Sequence, residues 1–216
     1  MNADDTALPR ALVIGSPAAP YHPLAGVEAA FRATLGADFA LAFTENREAL
    51  LQAPAPPRLV VAYADTWNEP VPESIAGALL EFVRRGGGLL AVHNGICWAG
   101  TPALRPLFGA VFTGHPDSAA MRYAPVGGHP ITAGLAAFEL HEEPYRYDVG
   151  KGLDAELILQ YAHEGREWPA GWARQYGAGR FAHLQPGHRA EAFASPGYAE
   201  LARRAARWCA GLSIVA

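Results

Sequence analysis

The chain has little cysteine: Cys97 and Cys209 are the only two in 216 residues. Two thiols make neither a disulfide framework nor a cysteine-based zinc site, and no C-x-x-C or H-x-x-x-H spacing occurs. Charge is sparse too, at 18% of residues, with a slightly acidic balance of −4 at pH 7. The basic residues are scattered and leave no electrostatic footprint for nucleic acid. No apolar run is long enough to span a membrane. The first residues, Met1-Asn2-Ala3-Asp4-Asp5, lack the basic start and apolar stretch of a secretory leader. These absences predict a cytoplasmic protein that engages neither nucleic acid nor membrane. Half of the residues are hydrophobic, so a sizeable core is available and wholesale disorder is not expected.

Patterning divides the chain into a flexible tail, 1–9, and one domain, 10–212. Arg10–Gly15, Asp38–Phe43, Leu59–Ala62 and Leu89–Val92 are short apolar runs that read as buried strands. Between them, Leu24–Leu35 and Pro72–Arg85 carry apolar residues at helical spacing, and Thr44 is placed to cap a short helix to Gln52. This alternation predicts a three-layer α/β fold around a mostly parallel sheet with right-handed crossovers. Beyond Trp98 the rhythm changes. Pro102–Phe108 reads as a short helix and Met121–Val126 and Leu157–Tyr161 as strands. Trp168–Tyr176 and Arg180–Leu184, joined by Gly177-Ala178-Gly179, predict a β-hairpin added on the C-terminal side. Pro196–Ala210 reads as a final amphipathic helix.

His93 stands where the apolar run Leu89–Val92 stops, at the C-terminal end of a predicted central strand, which in open α/β sheets faces the ligand crevice. Ala91 to Gly95 has the small-x-polar-x-Gly pattern of a nucleophile elbow, with histidine in the nucleophile's place. His22, His115 and His188 also lie at predicted strand ends or in loops after them. In Glu142-Glu143-Pro144-Tyr145, adjacent carboxylates on a strand face opposite sides, so only one can point at a given site. The candidate catalytic residues are therefore His93, His115, Glu143 and His188. The candidate substrate contacts are His22, Trp67, Asn94, Trp98 and Tyr145. Such a set suits general acid–base chemistry or a divalent transition metal such as zinc, and the residue types leave both open. Simpler roles compete: turn support for His129, core or surface positions for His141, His163 and His183, packing for the tryptophans. Cys97 follows the elbow too late to match its nucleophile position. Gly86-Gly87-Gly88 precedes a strand, so it reads as a helix stop and not as a phosphate loop.

Five ordered motifs resemble the ThuA-like family, named for trehalose utilisation. They are Glu81-Phe82-Val83-Arg84-Arg85-Gly86-Gly87-Gly88 running on to His93; Phe112-Thr113-Gly114-His115-Pro116; His129-Pro130-Ile131 with Gly134-Leu135; Glu142-Glu143-Pro144-Tyr145; and Gly177-Ala178-Gly179-Arg180 followed by Gly187-His188. Gln185-Pro186 departs from the pattern, because small or hydroxyl residues are usual there. The resemblance implies a class I glutamine amidotransferase-like, flavodoxin-like fold. It implies that His93 occupies the amidotransferase nucleophile's position, so glutamine hydrolysis is not expected. It also implies a small-molecule carbohydrate substrate, trehalose or a sugar oxidised at the 3-position. A non-catalytic sugar-binding protein on the same fold stays open, as does self-association into a homo-oligomer.

Overall fold

The computed structural model describes residues 7–16, 20–52, 55–66, 69–150 and 154–214. The predicted tail falls outside these except for residues 7–9. Four strands and two long helices open the fold: β1 (Arg10–Ile14), α1 (Leu24–Leu35), β2 (Ala40–Thr44), β3 (Leu59–Ala62), α3 (Glu73–Arg84) and β4 (Gly88–Val92). Between β2 and β3, α2 covers only Ala49–Gln52. Thr44 does not cap it: β2 runs through Thr44, whose hydroxyl instead accepts the Asn46 N–H, and the Asn46 side chain accepts the Glu48 N–H. After β4 come a 3-10 helix at His93–Gly100, a second 3-10 turn at Pro102–Leu104 and α4 (Arg105–Phe108). The remaining strands are β5 (Ala110–Gly114), β6 (Ala119–Pro125), β7 (Phe138–Glu142), β8 (Arg146–Val149), β9 (Glu156–His163), β10 (Arg166–Tyr176) and β11 (Gly179–Leu184). Helices α5 (Ala190–Phe193) and α6 (Pro196–Cys209) follow.

Among the described residues, nine strands form one sheet in the order β2-β1-β3-β4-β11-β10-β9-β6-β7, and β5 pairs with β8. The expectation of a mostly parallel sheet needs correction. Four of the nine-stranded sheet's pairings are parallel and four antiparallel. The physical reason is the connections. Helical crossovers return the chain in parallel up to β4, whereas tight turns reverse it later. Glu164 and Gly165 between β9 and β10 both have left-handed φ, 53° and 70°, which matches the twist of paired strands. The last strand, β11, then runs parallel to β4, with Leu184 opposite Val92. This register sets the chain after β11 beside the chain after β4.

Side-chain alternation sends Val61, Leu90, Val92 and Leu184 to one face, under α1, α5 and α6. Val60, Leu89, Ala91 and Phe181 go to the other, under α3, the long 3-10 helix and α4. On the outside of α6, Arg203 and Arg207 hold the buried Asp38 carboxylate.

His183 on β11 is wholly buried, with Nδ1 3.1 Å from the Ala91 carbonyl and Nε2 3.0 Å from the Tyr147 hydroxyl. Burial pushes its pKa down to about 3. Both folded and unfolded chains carry it neutral above pH 6.5. As the pH falls from 6.5 towards 3, only the unfolded chain gains the proton, so stability is lost at up to about 1.4 kcal/mol per pH unit. Denaturant titrations at pH 7 and pH 5 should show this loss, and His183→Asn should flatten the slope while lowering stability overall. Equal slopes in the two proteins would contradict the assignment.

Candidate functional site

The site lies at the C-terminal edge of the parallel strands, where β3, β4 and β11 end side by side. His93 is the first residue past β4, and its φ is +48°, a region that non-glycine residues seldom occupy. Gly95 lets the turn close against β3: a Cβ there would stand 2.0 Å from the Ala62 carbonyl oxygen. The backbone thus makes a sharp strand-to-helix bend, and it presents a buried imidazole.

His93 Nδ1 lies 2.8 Å from the Gln185 backbone carbonyl. A carbonyl can only accept, so Nδ1 carries the hydrogen and Nε2 keeps the lone pair. Burial pushes the His93 pKa down to about 4, against the pull of Glu143, which leaves the ring neutral near pH 7. Three groups surround Nε2: the Tyr145 hydroxyl at 2.9 Å, His188 Nδ1 at 3.2 Å and Glu143 Oε2 at 3.3 Å. His188 Nδ1 is also 3.2 Å from Glu143 Oε2. Burial works to raise the Glu143 carboxyl, but the His188 and His93 rings outweigh it and hold it below the usual carboxylate range.

His22 packs on the same rings, its centroid 4.9 Å from that of His93 and 4.8 Å from that of His188. Its Nδ1 is 3.0 Å from each oxygen of Asp65, which leaves Nε2 as the lone-pair atom. That Nε2 is buried without a hydrogen-bond partner. His115 sits at the exposed rim. Its Nδ1 is 2.8 Å from the Pro116 carbonyl, its Nε2 is 3.6 Å from Glu143 Oε2, and its ring stacks on Tyr145.

Glu142 and Glu143 take separate roles, Glu142 closing β7 and Glu143 lying just past it. Glu143 faces the imidazoles. Glu142, buried on the other side, accepts the backbone N–H of Gly187 at 2.9 Å and of His188 at 3.2 Å. Burial pushes the Glu142 carboxyl up to about 7 despite those bonds. Gly187 is needed in this loop: its φ is +123°, and a Cβ would meet Val92 at 2.7 Å. The anchored loop delivers His188 to the cluster.

His22, His93, Glu143, Tyr145 and His188 therefore converge, with His115 at the margin. Trp98 does not line the site. It is fully buried under the sheet and donates its indole N–H to the Ala64 carbonyl at 3.1 Å, because the 3-10 helix turns it inward. Asn94 is buried as well, and neither of its side-chain amide atoms has a partner. Trp67 lies outside the described residues. A groove of about 600 Å3 lined by Arg10, Arg58, Glu81 and Arg85 opens at the opposite end of the strands, and no imidazole reaches it.

Two site residues were missing from the sequence expectation. Asp65, just past β3, orients His22 by accepting its Nδ1–H. Gln185 read as a departure from a motif. In fact it is wholly buried and joins three parts of the site. Its carbonyl orients His93, its side-chain amide donates to the Glu143 carbonyl at 2.6 Å, and its side-chain oxygen accepts the Tyr123 hydroxyl at 2.9 Å.

A sequence model of the ThuA family, described as trehalose utilisation, matches residues 10–209. The chain belongs to the ThuA family. No curated protein matches the sequence. Among solved structures, a ThuA-like protein from Parabacteroides merdae superposes with a TM-score of 0.78 at 19% identity, covering 97% of this chain and 92% of that one. A ThuA-like protein from Bacteroides uniformis gives 0.77 at 19% identity, over 97% and 94%. A β-galactosidase from Rahnella sp. R3 gives 0.65 at 19% identity over 90% of this chain, but only 30% of its own. At these identities the solved structures establish the shared ThuA fold alone.

In this ThuA chain, Glu142→Ala should leave two loop N–H groups without their acceptor and cost about 1–3 kcal/mol of stability. Glu142→Gln keeps an acceptor oxygen and should cost less. Chemical denaturation of both variants checks this; equal losses would contradict the anchoring role.

Proposed function

We propose that the protein is a cytoplasmic enzyme of carbohydrate metabolism acting on a keto-sugar or keto-glycoside, such as trehalose oxidised at the 3-position. The observation that carries this reading is the convergence of His22, His93, Glu143 and His188 at a strand edge, in a family described as trehalose utilisation. We read the parallel half as a flavodoxin-like, amidotransferase-like core whose nucleophile position is taken by His93. Glutamine hydrolysis and cysteine chemistry are set aside on a physical ground. Cys97 is buried, and burial, with Asp65 adding to it, raises its thiol well above the ordinary range, which disfavours a thiolate. The cytoplasmic placement is supported by two buried free cysteines. It is consistent with the finding that no helix among the described residues is long and apolar enough to cross a membrane.

The chemistry follows from the substrate class. A ketone at the 3-position acidifies the hydrogen at position 2, and the glycosidic oxygen at position 1 is then a leaving group β to the carbonyl. His115 is the base in this reading, because Pro116 engages its Nδ1, which leaves the Nε2 lone pair of an exposed ring at the rim of the site. It takes the proton from carbon 2, and the electron pair moves onto the carbonyl oxygen. The pair then returns to expel the glycosidic oxygen, which takes up a proton. Tyr145, kept as an O–H by burial, is a donor for the carbonyl oxygen.

Purified protein should turn over 3-keto-disaccharides and leave unoxidised trehalose untouched. His115→Ala should lower kcat by about 100-fold or more with the fold intact, as loss of a general base does. Binding of the keto-sugars without turnover would instead favour a sugar-binding protein. Neither binding nor turnover across such a panel would remove the carbohydrate reading.

A further inference from the structure

We infer that His22, His93, Glu143 and His188 form a binding site for one divalent transition-metal ion of the zinc type. Each of the four can offer one ligand atom such that all four atoms lie within 4.8 Å of one another. Three of the separations are tighter: His93 Nε2 to Glu143 Oε2 is 3.3 Å, His188 Nδ1 to Glu143 Oε2 is 3.2 Å, and His93 Nε2 to His188 Nδ1 is 3.2 Å. Ligands at about 2.0–2.1 Å from a tetrahedral zinc ion stand about 3.3–3.4 Å apart, so these three atoms already form one face of such a polyhedron.

The lone pairs point the same way. His93 Nδ1 is committed to the Gln185 carbonyl and His22 Nδ1 to Asp65, so both rings expose Nε2 as a lone pair. A carboxylate or carbonyl holding the far nitrogen is the usual outer support of a metal-bound histidine. The bland alternative is a hydrogen-bonded cluster. It accounts for His93, whose lone pair the Tyr145 hydroxyl reaches at 2.9 Å. It leaves unexplained the buried His22 Nε2 and Glu143 Oε2, which have no well-formed hydrogen bond. Two orphaned acceptor atoms in one buried cluster are costly unless a cation lies between them.

The donor set selects the ion. Three imidazole nitrogens and one carboxylate suit zinc, cobalt, nickel, iron or manganese and disfavour calcium and magnesium, which take all-oxygen sets. Asp65 and Glu143 together offset a divalent charge. Such an ion acts as a Lewis acid toward a substrate oxygen. It would supply the positive partner that a keto-sugar's oxyanion needs beside Glu143. The ion site does not depend on the sugar reading.

The test uses the whole chain without a histidine tag, stripped with chelator and titrated with Zn2+, and separately with Co2+, by calorimetry and absorbance. One equivalent per chain is expected, with the visible bands of four- or five-coordinate cobalt. His22→Ala should weaken Zn2+ binding at least 100-fold, and the isosteric Asp65→Asn about 10–100-fold. His141→Ala, on an exposed position of β7, should bind as the wild type does. Folding of each variant is verified by circular dichroism, and Asp65→Asn keeps the test decisive if a ligand variant misfolds. Absence of stoichiometric binding, or binding that folded His22→Ala and Asp65→Asn retain in full, overturns the site. Zinc binding without turnover of any keto-sugar leaves the site standing and removes the sugar reading. Turnover of keto-sugars by protein that takes up no zinc does the reverse.

Discussion

The hydrogen bond from His93 Nδ1 to the Gln185 carbonyl is the contact on which the rest of the site depends. It exists because β11 returns beside β4 in parallel, with Leu184 opposite Val92, so that the next residue on each strand meets across the edge. The bond fixes the ring orientation and leaves Nε2 bare. Burial adds to it by keeping the ring neutral, so the lone pair stays available. The same residue reaches forward with its side chain to the Glu143 carbonyl. One buried glutamine thus aligns an imidazole from the parallel half with a carboxylate from the antiparallel half.

The two halves of the sheet contribute different things. The parallel strands supply a strand-end crevice, a bend with positive φ at His93, and Asp65 to orient His22. The antiparallel strands bring in Glu142 and Glu143 at the end of β7, and Tyr145 just before β8. Glu142 then secures the loop after β11 by accepting two of its N–H groups. No single segment contains the site. Its members come from the ends of β3, β4, β7 and β11, from His22 before α1 and from the segment before β8, which is why they are spread from residue 22 to residue 188.

Much of this was legible in the sequence, for identifiable reasons. The apolar runs before Gly15, Ala62 and Val92 and the helical spacing of Leu24–Leu35 reveal the parallel half, because strands buried on both faces and long amphipathic helices leave strong periodic signals. His93 at a strand end, Glu143 in the Glu142-Glu143 pair, and His188 after a glycine were readable as crevice residues. The order of β6, β7 and β9 was not, because antiparallel strands joined by turns do not announce their neighbours. Asp65 and Gln185 were not among the expected site residues. Both act through the partner they hold, and that partner is far away in sequence. Trp98 was misplaced because a 3-10 helix rotates each residue further than an α-helix does, which turned the indole into the core.

Nitrogen-15 NMR of histidine-labelled protein tests the central claim most directly, since it reports which nitrogen of each ring carries hydrogen. At pH 7, in metal-free protein, His93 should appear as the neutral ring protonated at Nδ1 with Nε2 bare, and it should remain so on titration to pH 5. A His93 ring protonated at Nε2, or an imidazolium at pH 7, would contradict the account.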